Sequence, residues 1–256
     1  MDNQYINKSL ERGLDILEMF IGGDNSWGVR ELAREIKSSP TTTYRLLHTL
    51  AKSGYLEKDS LNNKYRLGSK VISFAESYNE QNPVQNIARK VFLKYSKNFE
   101  HNFYLGKLLN QEIVYLVTHE GKGPIVISVQ PGVSVELYCT ALGKILLAYQ
   151  DEDYIEDYLK NSEFKAHTET TITDPNSLRE SLKKTRSRGY AINNGERHDG
   201  IAAIGFPLFK TKKETTMAIS IAYPQFYVNN HYLELNSLIE MCENITKEIS
   251  SRLPNF

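Results

Sequence analysis

Residues 28–68 read GVRELAREIKSSPTTTYRLLHTLAKSGYLEKDSLNNKYRLG. Val29, Leu32, Ala33 and Ile36 recur at helical spacing, which predicts one amphipathic helix. Ser38-Ser39-Pro40 then makes a short turn, with Pro40 suited to the first position of the next helix. That helix is predicted over 41–53, burying Tyr44, Leu47 and Leu50, and Gly54 ends it. Residues 55–58 and 64–67 alternate apolar and polar around the turn-rich Asp59-Ser60-Leu61-Asn62-Asn63, which predicts a β-hairpin. Upstream, Leu10, Leu14, Leu17 and Ile21 define an earlier helix with Ser9 as its N-cap, broken by Gly22-Gly23-Asp24-Asn25. Downstream, residues 68–81 read as one more helix, with Val71, Ile72, Ala75 and Tyr78 on one side and Asn82-Pro83 as its stop. The order is helix, helix, tight turn, helix, hairpin.

Such an order suits a helix-turn-helix with a wing. One helix lies across a DNA backbone, the turn sets the angle, and the next helix offers its N-terminal residues to base edges in the major groove. Residues 29–37 would be the positioning helix, with small Ala33 allowing close approach. Ser39, Thr41, Thr42 and Thr43 place short hydroxyls at the start of the reading helix, and Arg45 has the fork geometry for guanine or phosphate. Lys64 and Arg66 on the hairpin would reach the flanking backbone. From Lys37 to Leu56 there is no acidic residue, while Lys37, Arg45 and Lys52 are basic and His48 can become so. By pattern alone, a plain three-helix bundle with a solvated polar face accounts for the same residues, and helix capping accounts for the threonines.

The rest of the composition narrows the class. The chain has 256 residues, 40% hydrophobic and 24% charged, enough apolar material for two cores and unlike a disordered chain. Residues 1–70 carry 11 Lys/Arg against 9 Asp/Glu and the remainder 20 against 22, so the basic bias is slight and lies in the first part. Cys139 and Cys242 stand about a hundred residues apart without CxxC spacing, and His101, His119, His167 and His231 lack a ligand spacing. No metal, cofactor or disulfide is expected. The N-terminal MDNQYINKSLERG lacks signal-peptide order, and apolar runs such as 201–208 are far short of the ~20 residues of a membrane span. A cytoplasmic protein without a membrane partner is expected.

Beyond Pro83 strands and helices mix without a repeat. Residues 103–109 and 111–118 flank Asn110 as a candidate hairpin, and 124–130 is a β-branched run. Helices are predicted over 141–149, 152–160 and 177–187, the last with Asp174-Pro175 as cap and first residue. Strands are predicted over 190–193, 201–208 and 215–223. A closing helix over 231–253 carries Leu235, Leu238, Cys242, Ile245 and Ile249 on its stripe. An α+β sheet domain with helices on its faces follows.

SLERGLDILEMF, the stretch from Gly28 to Asp59, NKYRLGSKV, LYCTALGKILLA, RSRGYAINNGERHDGIAAIGFPLF and AISIAYP together resemble the IclR family of bacterial regulators. The likeness spans nearly the whole chain. It implies a winged helix-turn-helix domain over 6–68, a linker helix over 69–82 and a GAF-like effector-binding domain over 83–256. It implies double-stranded operator DNA as partner, bound by a homodimer or tetramer. Arg12 and Arg45 match basic positions of the family's DNA face, and Arg30 joins the candidates. The family often has Lys where Thr41 stands, so less charge and another base preference are implied.

For the second domain the resemblance implies a small organic effector. Tyr138, Thr140, Ala141 and Leu142 sit at a helix start, where backbone N–H groups and the dipole favour an anion. Gly143 permits close approach of either ligand or backbone. Asn193, Ala203, Ser220 and Ala222 fall at pocket positions, and Glu196 matches the family pattern. Asn193 stands where relatives commonly have an acid, and Ala203 and Ala222 replace residues that can be polar. An organic acid or aromatic compound is implied rather than a two-carbon acid. Glu196-Arg197-His198-Asp199 combines carboxylates with imidazole. Adjacent side chains diverge, however, so effector contact or loop structure is expected there rather than catalysis. Cys139 has no identifiable activating base. The expectation is a ligand-responsive regulator, a repressor of a metabolic or catabolic operon. An effector-independent DNA-binding repressor and a small-molecule enzyme stand as its rivals.

Overall fold

A computed structural model describes residues 5–21, 26–97, 101–122, 128–208, 215–230 and 234–253. The chain forms two compact units, residues 1–81 and 82–256.

In the first unit, α1 (Lys8–Glu18), α2 (Val29–Glu35) and α3 (Pro40–Lys52) precede a hairpin of β1 (Leu56–Lys58) and β2 (Tyr65–Leu67), then α4 (Lys70–Gln81). Ile16, Phe20, Leu32, Leu47, Leu56 and Tyr65 form its core. Trp27 extends the hairpin by exchanging backbone hydrogen bonds of 2.9 and 2.8 Å with Tyr65. Gly54 closes α3 with φ +82°, and a Cβ on Gly68 would lie 2.3 Å from the Gly54 carbonyl oxygen, so both turns need glycine.

Three expectations fail here. Asn7, not Ser9, caps α1, its side chain accepting from the Ser9 and Leu10 amides at 3.1 Å each. The Leu10, Leu14 and Ile21 stripe is exposed, because the core uses the adjacent face through Gly13 and Ile16. Tyr44 is exposed, stacking on His48 at 5.9 Å, because Thr43 and Leu47 take the buried positions. Nor does α4 bury any residue, so the Val71–Tyr78 side is not a core face within this chain.

In the second unit, α5 (Pro83–Tyr95) leads into a six-stranded antiparallel sheet ordered β5-β4-β3-β8-β7-β6. The strands are β3 (Asn102–Leu109), β4 (Glu112–His119), β5 (Ser134–Glu136), β6 (Ala191–Asn194), β7 (Ile201–Leu208) and β8 (Met217–Pro224). Asn110 and Gln111, with φ +49° and +65°, form the two-residue β3–β4 turn whose twist suits a hairpin. One sheet face packs on α5 and α10 (Leu235–Arg252) through Val91, Phe92, Ile204, Ile221, Cys242 and Ile245. The other packs on α6 (Ala141–Ala148), with α7 (Glu152–Asn161) and α8 (Pro175–Arg188) behind it. The short α9 (Gln225–Asn229) follows β8.

Three elements, α5, β5 and α9, are absent from the sequence reading. Pro83 stops α4 and also occupies the first turn of α5, so one residue ends one helix and opens another. Of the expected run over 124–130, residues 124–127 lie outside the described residues and 128–130 are not a strand. Residues 231–233 of the closing helix also lie outside them.

Candidate nucleic-acid interface and effector site

On α3, Thr41, Tyr44, Arg45 and His48 are exposed at spacings that place them on one face. Ser39 caps the helix, accepting from the Thr42 amide at 3.1 Å, and its hydroxyl lies 2.9 Å from Thr42 Oγ1. Thr43 is a correction. It is fully buried and donates to the Ser39 carbonyl at 3.0 Å, so it locks the turn and cannot meet DNA. Arg12 and Arg30 are exposed. Arg30, Arg34 and Lys37 line an open groove of about 640 Å³ with Ala33, Ser38 and Pro40, a basic approach beside the reading helix. The wing residues are partly engaged. Lys64 pairs with Glu31 at 3.1 Å, and Arg66 meets Glu57 at 3.4 Å across the hairpin. Glu31, held below its usual pKa by the Gly28 amide and then by Lys64, ties the wing to α2. Tyr44 was missed by periodicity, which assigned it to the core.

The second candidate site lies on the α6 side of the large sheet. Asn193, Ala203, Ala222 and Asn102 are neighbours across β6, β7, β8 and β3, and Gly205, Ser220 and Tyr104 form an adjacent rung. Tyr138, Thr140, Ala141, Leu142, Asn193, Glu196, Ser220 and Ala222 are buried, and Ala203 is half-buried. Thr140 caps α6 by accepting from the Gly143 amide at 3.0 Å. Asn193 donates to the Cys139 carbonyl and accepts from the Glu196 amide at 3.2 Å, pinning the loop after β6 to the start of α6. Lys144 pairs with Glu196 in the interior. Burial pushes the Lys144 pKa down, against the pull of Glu196. For Gly143 the two explanations now separate: an added Cβ would lie 2.0 Å from the Leu137 carbonyl oxygen, so backbone packing requires the glycine.

Sequence reasoning missed a polar cluster beside this face. Arg197 Nη1 lies 2.8 Å from Glu136 Oε2 and 2.6 Å from His167 Nε2. Tyr138 donates to the Lys165 carbonyl at 2.7 Å and stacks on His167 at 6.1 Å. Burial works to raise the Glu136 pKa, but its own amide, Arg197 and His167 outweigh it and hold the carboxyl low. Burial pushes Cys139 up to about 11 and Tyr115 up to about 12, with Arg197 opposing both rises. Glu136, Cys139 and His167 also bring three donor atoms within 4.8 Å of one another. Their types suit zinc, yet the Arg197 guanidinium already supplies a cation to the carboxylate and imidazole. Residues 136, 167 and 197 share no sequence spacing, so only the fold brings them together.

A winged helix-turn-helix followed by a sheet unit with a cluster of polar groups on one face is the build of a bacterial transcription regulator. Residues 76–251 match the family model described as bacterial transcriptional regulator IclR C-terminal, and residues 9–60 match the IclR helix-turn-helix domain. The chain belongs to the IclR family and is a DNA-binding transcriptional regulator. It is 26% identical to the HTH-type transcriptional regulator KdgR of Escherichia coli, over 99% of this chain and 97% of that protein. The fold matches an IclR transcriptional regulator from Alicyclobacillus acidocaldarius with TM-score 0.85 at 22% identity, covering 96% and 99% of the two chains. It also matches an IclR homologue from Microbacterium hydrocarbonoxydans, solved with 4-hydroxybenzoate, with TM-score 0.84 at 18% identity over 95% and 98%. These relatives are named as regulators, not enzymes, and among the described residues no helix is long and apolar enough to cross a membrane.

Proposed function

We propose that this chain is a ligand-responsive repressor of a metabolic or catabolic operon, acting in the cytoplasm on double-stranded operator DNA. The observation that carries the reading is the gathering of Asn193, Glu196, Arg197, Glu136 and His167 around the α6 face of the large sheet. Buried polar groups cost free energy unless they are paired or have work to do. A small organic acid or aromatic compound suits the tyrosines and the small Ala203 and Ala222, and a structural relative was solved with 4-hydroxybenzoate. Arg12, Arg30, Thr41, Arg45 and His48 contact DNA in this reading, joined by Tyr44. Lys64 and Arg66 serve the flanking phosphates after exchanging their carboxylate partners. The exposed Ile72, Phe74 and Tyr78 of α4 support pairing with a second copy, as a palindromic operator requires.

Effector binding changes the operator affinity only if the ligand binds the DNA-competent and incompetent states differently. A thermal-shift screen of metabolites, followed by gel shifts with each hit, tests the reading. A stabilising metabolite that releases DNA supports it. The closed hydrogen bonds of Asn193 favour a second reading, an effector-independent repressor whose pocket residues are structural. Specific DNA binding with no stabilising metabolite selects that one.

A further inference from the structure

We infer that Arg197 is the carboxylate receptor of the effector pocket, and that Glu136 is a built-in competitor which an acidic effector must displace. The inference rests on the effector-binding reading above and names the chemistry of that site. Three observations lead to it.

Thr140, Asn193 and Lys144 on the α6 face are engaged within the fold, while Glu196 keeps one buried oxygen, Oε2, without a partner among the described residues. Thr140 holds the Gly143 amide, Asn193 joins the Cys139 carbonyl to the Glu196 amide, and Lys144 is spent on Glu196. That last pair is buried on both sides, with 2% and 7% of the side chains exposed. Exchanging its carboxylate for a ligand's would strand a buried charge, which is strongly unfavourable.

Arg197 differs in just this respect. Its side chain is 28% exposed and that of Glu136 39%, so this 2.8 Å ion pair is far less enclosed than Lys144–Glu196, although the Glu136 Oε2 that faces Arg197 is itself buried. Both the Glu136 and His167 contacts run through Nη1. A guanidinium has five donors in a fork that fits a carboxylate bidentately. Glu136 meets it with one oxygen, in ion-pair contact but not in hydrogen-bond geometry, a weaker arrangement than a ligand could make.

The surroundings select the rest of the molecule. Tyr138 and Cys139 flank Glu136, the His167 ring stacks on Tyr138, and Tyr104 meets Tyr115 edge-on at 5.5 Å. The Asn193 side-chain oxygen, accepting from the Glu196 amide, links the Arg197 loop to the rung carrying the small Ala203 and Ala222. A planar monocarboxylic acid, its acid group on Arg197 and its body against tyrosine and alanine, matches this distribution. Glu136 then sets the affinity, because the ligand gains only the difference between its own contacts and those of Glu136.

Calorimetry on the full chain with matched acids and amides tests this: benzoate and benzamide, 4-hydroxybenzoate and 4-hydroxybenzamide, pyruvate and pyruvamide. At least one acid is expected to bind while its amide does not. Arg197→Gln is expected to weaken that acid by about ten- to hundredfold. Arg197→Lys, which keeps the charge and loses the fork, falls between, and Glu136→Gln tightens binding several-fold. Melting profiles check that each variant is folded. Equal binding of an acid and its amide overturns the inference while leaving effector control standing. So does an acid whose affinity is unchanged in Arg197→Gln or Glu136→Gln. No binding of any acid to wild type or Glu136→Gln also overturns it, and the wider metabolite screen then decides whether the effector reading falls too.

Discussion

Gly143 shows how a single missing side chain shapes the effector unit. The first turn of α6 lies against the backbone of Leu137, and any Cβ at 143 would overlap it. Gly205 on β7 plays the complementary part, since a Cβ there would come within 2.6 Å of the Ala141 carbonyl oxygen. Gly143→Ala is expected to cost about 1–3 kcal/mol, read from urea unfolding, as overpacking forces the backbone apart. A stability unchanged within error would mean that α6 can slide without loss. The thiols give a second expectation. Both cysteines are free and buried, and burial raises both pKa values, so neither is thiolate near neutral pH. A disulfide reagent is expected to count no fast-reacting thiol in the native chain and two in guanidinium. Rapid reaction of Cys139 in the native chain would contradict the packing described.

At the scale of elements, what could be read in advance followed from local chemistry. α2, α3 and the hairpin announced themselves through apolar spacing, Pro40, Gly54 and the turn residues, each of which acts within a few positions. α8 did likewise through Asp174, which accepts from the Ser177 amide at 2.7 Å, and Pro175 in its first turn. α5 was lost because Pro83 was taken as punctuation only. Tyr44 and the Leu10–Ile21 stripe were misplaced because periodicity locates an apolar face without saying what covers it. The site was legible in part for the same reason. Asn193, Glu196 and Ser220 came with recognisable segments, whereas Glu136, His167 and Arg197 meet only through tertiary structure. α4 carries a matching expectation. It buries nothing within the chain, yet Ile72 and Phe74 are 59% and 56% exposed. If a second copy covers this face, Phe74→Glu is expected to shift sedimentation towards monomer and weaken operator binding. An unchanged oligomer would place self-association elsewhere.

The whole molecule joins a DNA-binding unit to a proposed effector-binding unit in one chain, and the exposed face of α3 is expected to read the operator. Arg45 is the sharpest probe of that face, because it is exposed and the chemistry of its side chain suits guanine or phosphate. Thr43 gives no such test, since its hydroxyl holds the turn. The direct measurement is a titration of the full chain, at about 0.15 M salt, onto DNA from upstream of its own gene and onto a scrambled control. Wild type is expected to prefer the upstream fragment by orders of magnitude. Arg45→Ala, folded by its melting profile, is expected to lose about 1–3 kcal/mol of that preference. Equal affinity for both fragments, or a specific complex indifferent to Arg45→Ala, would contradict the claim.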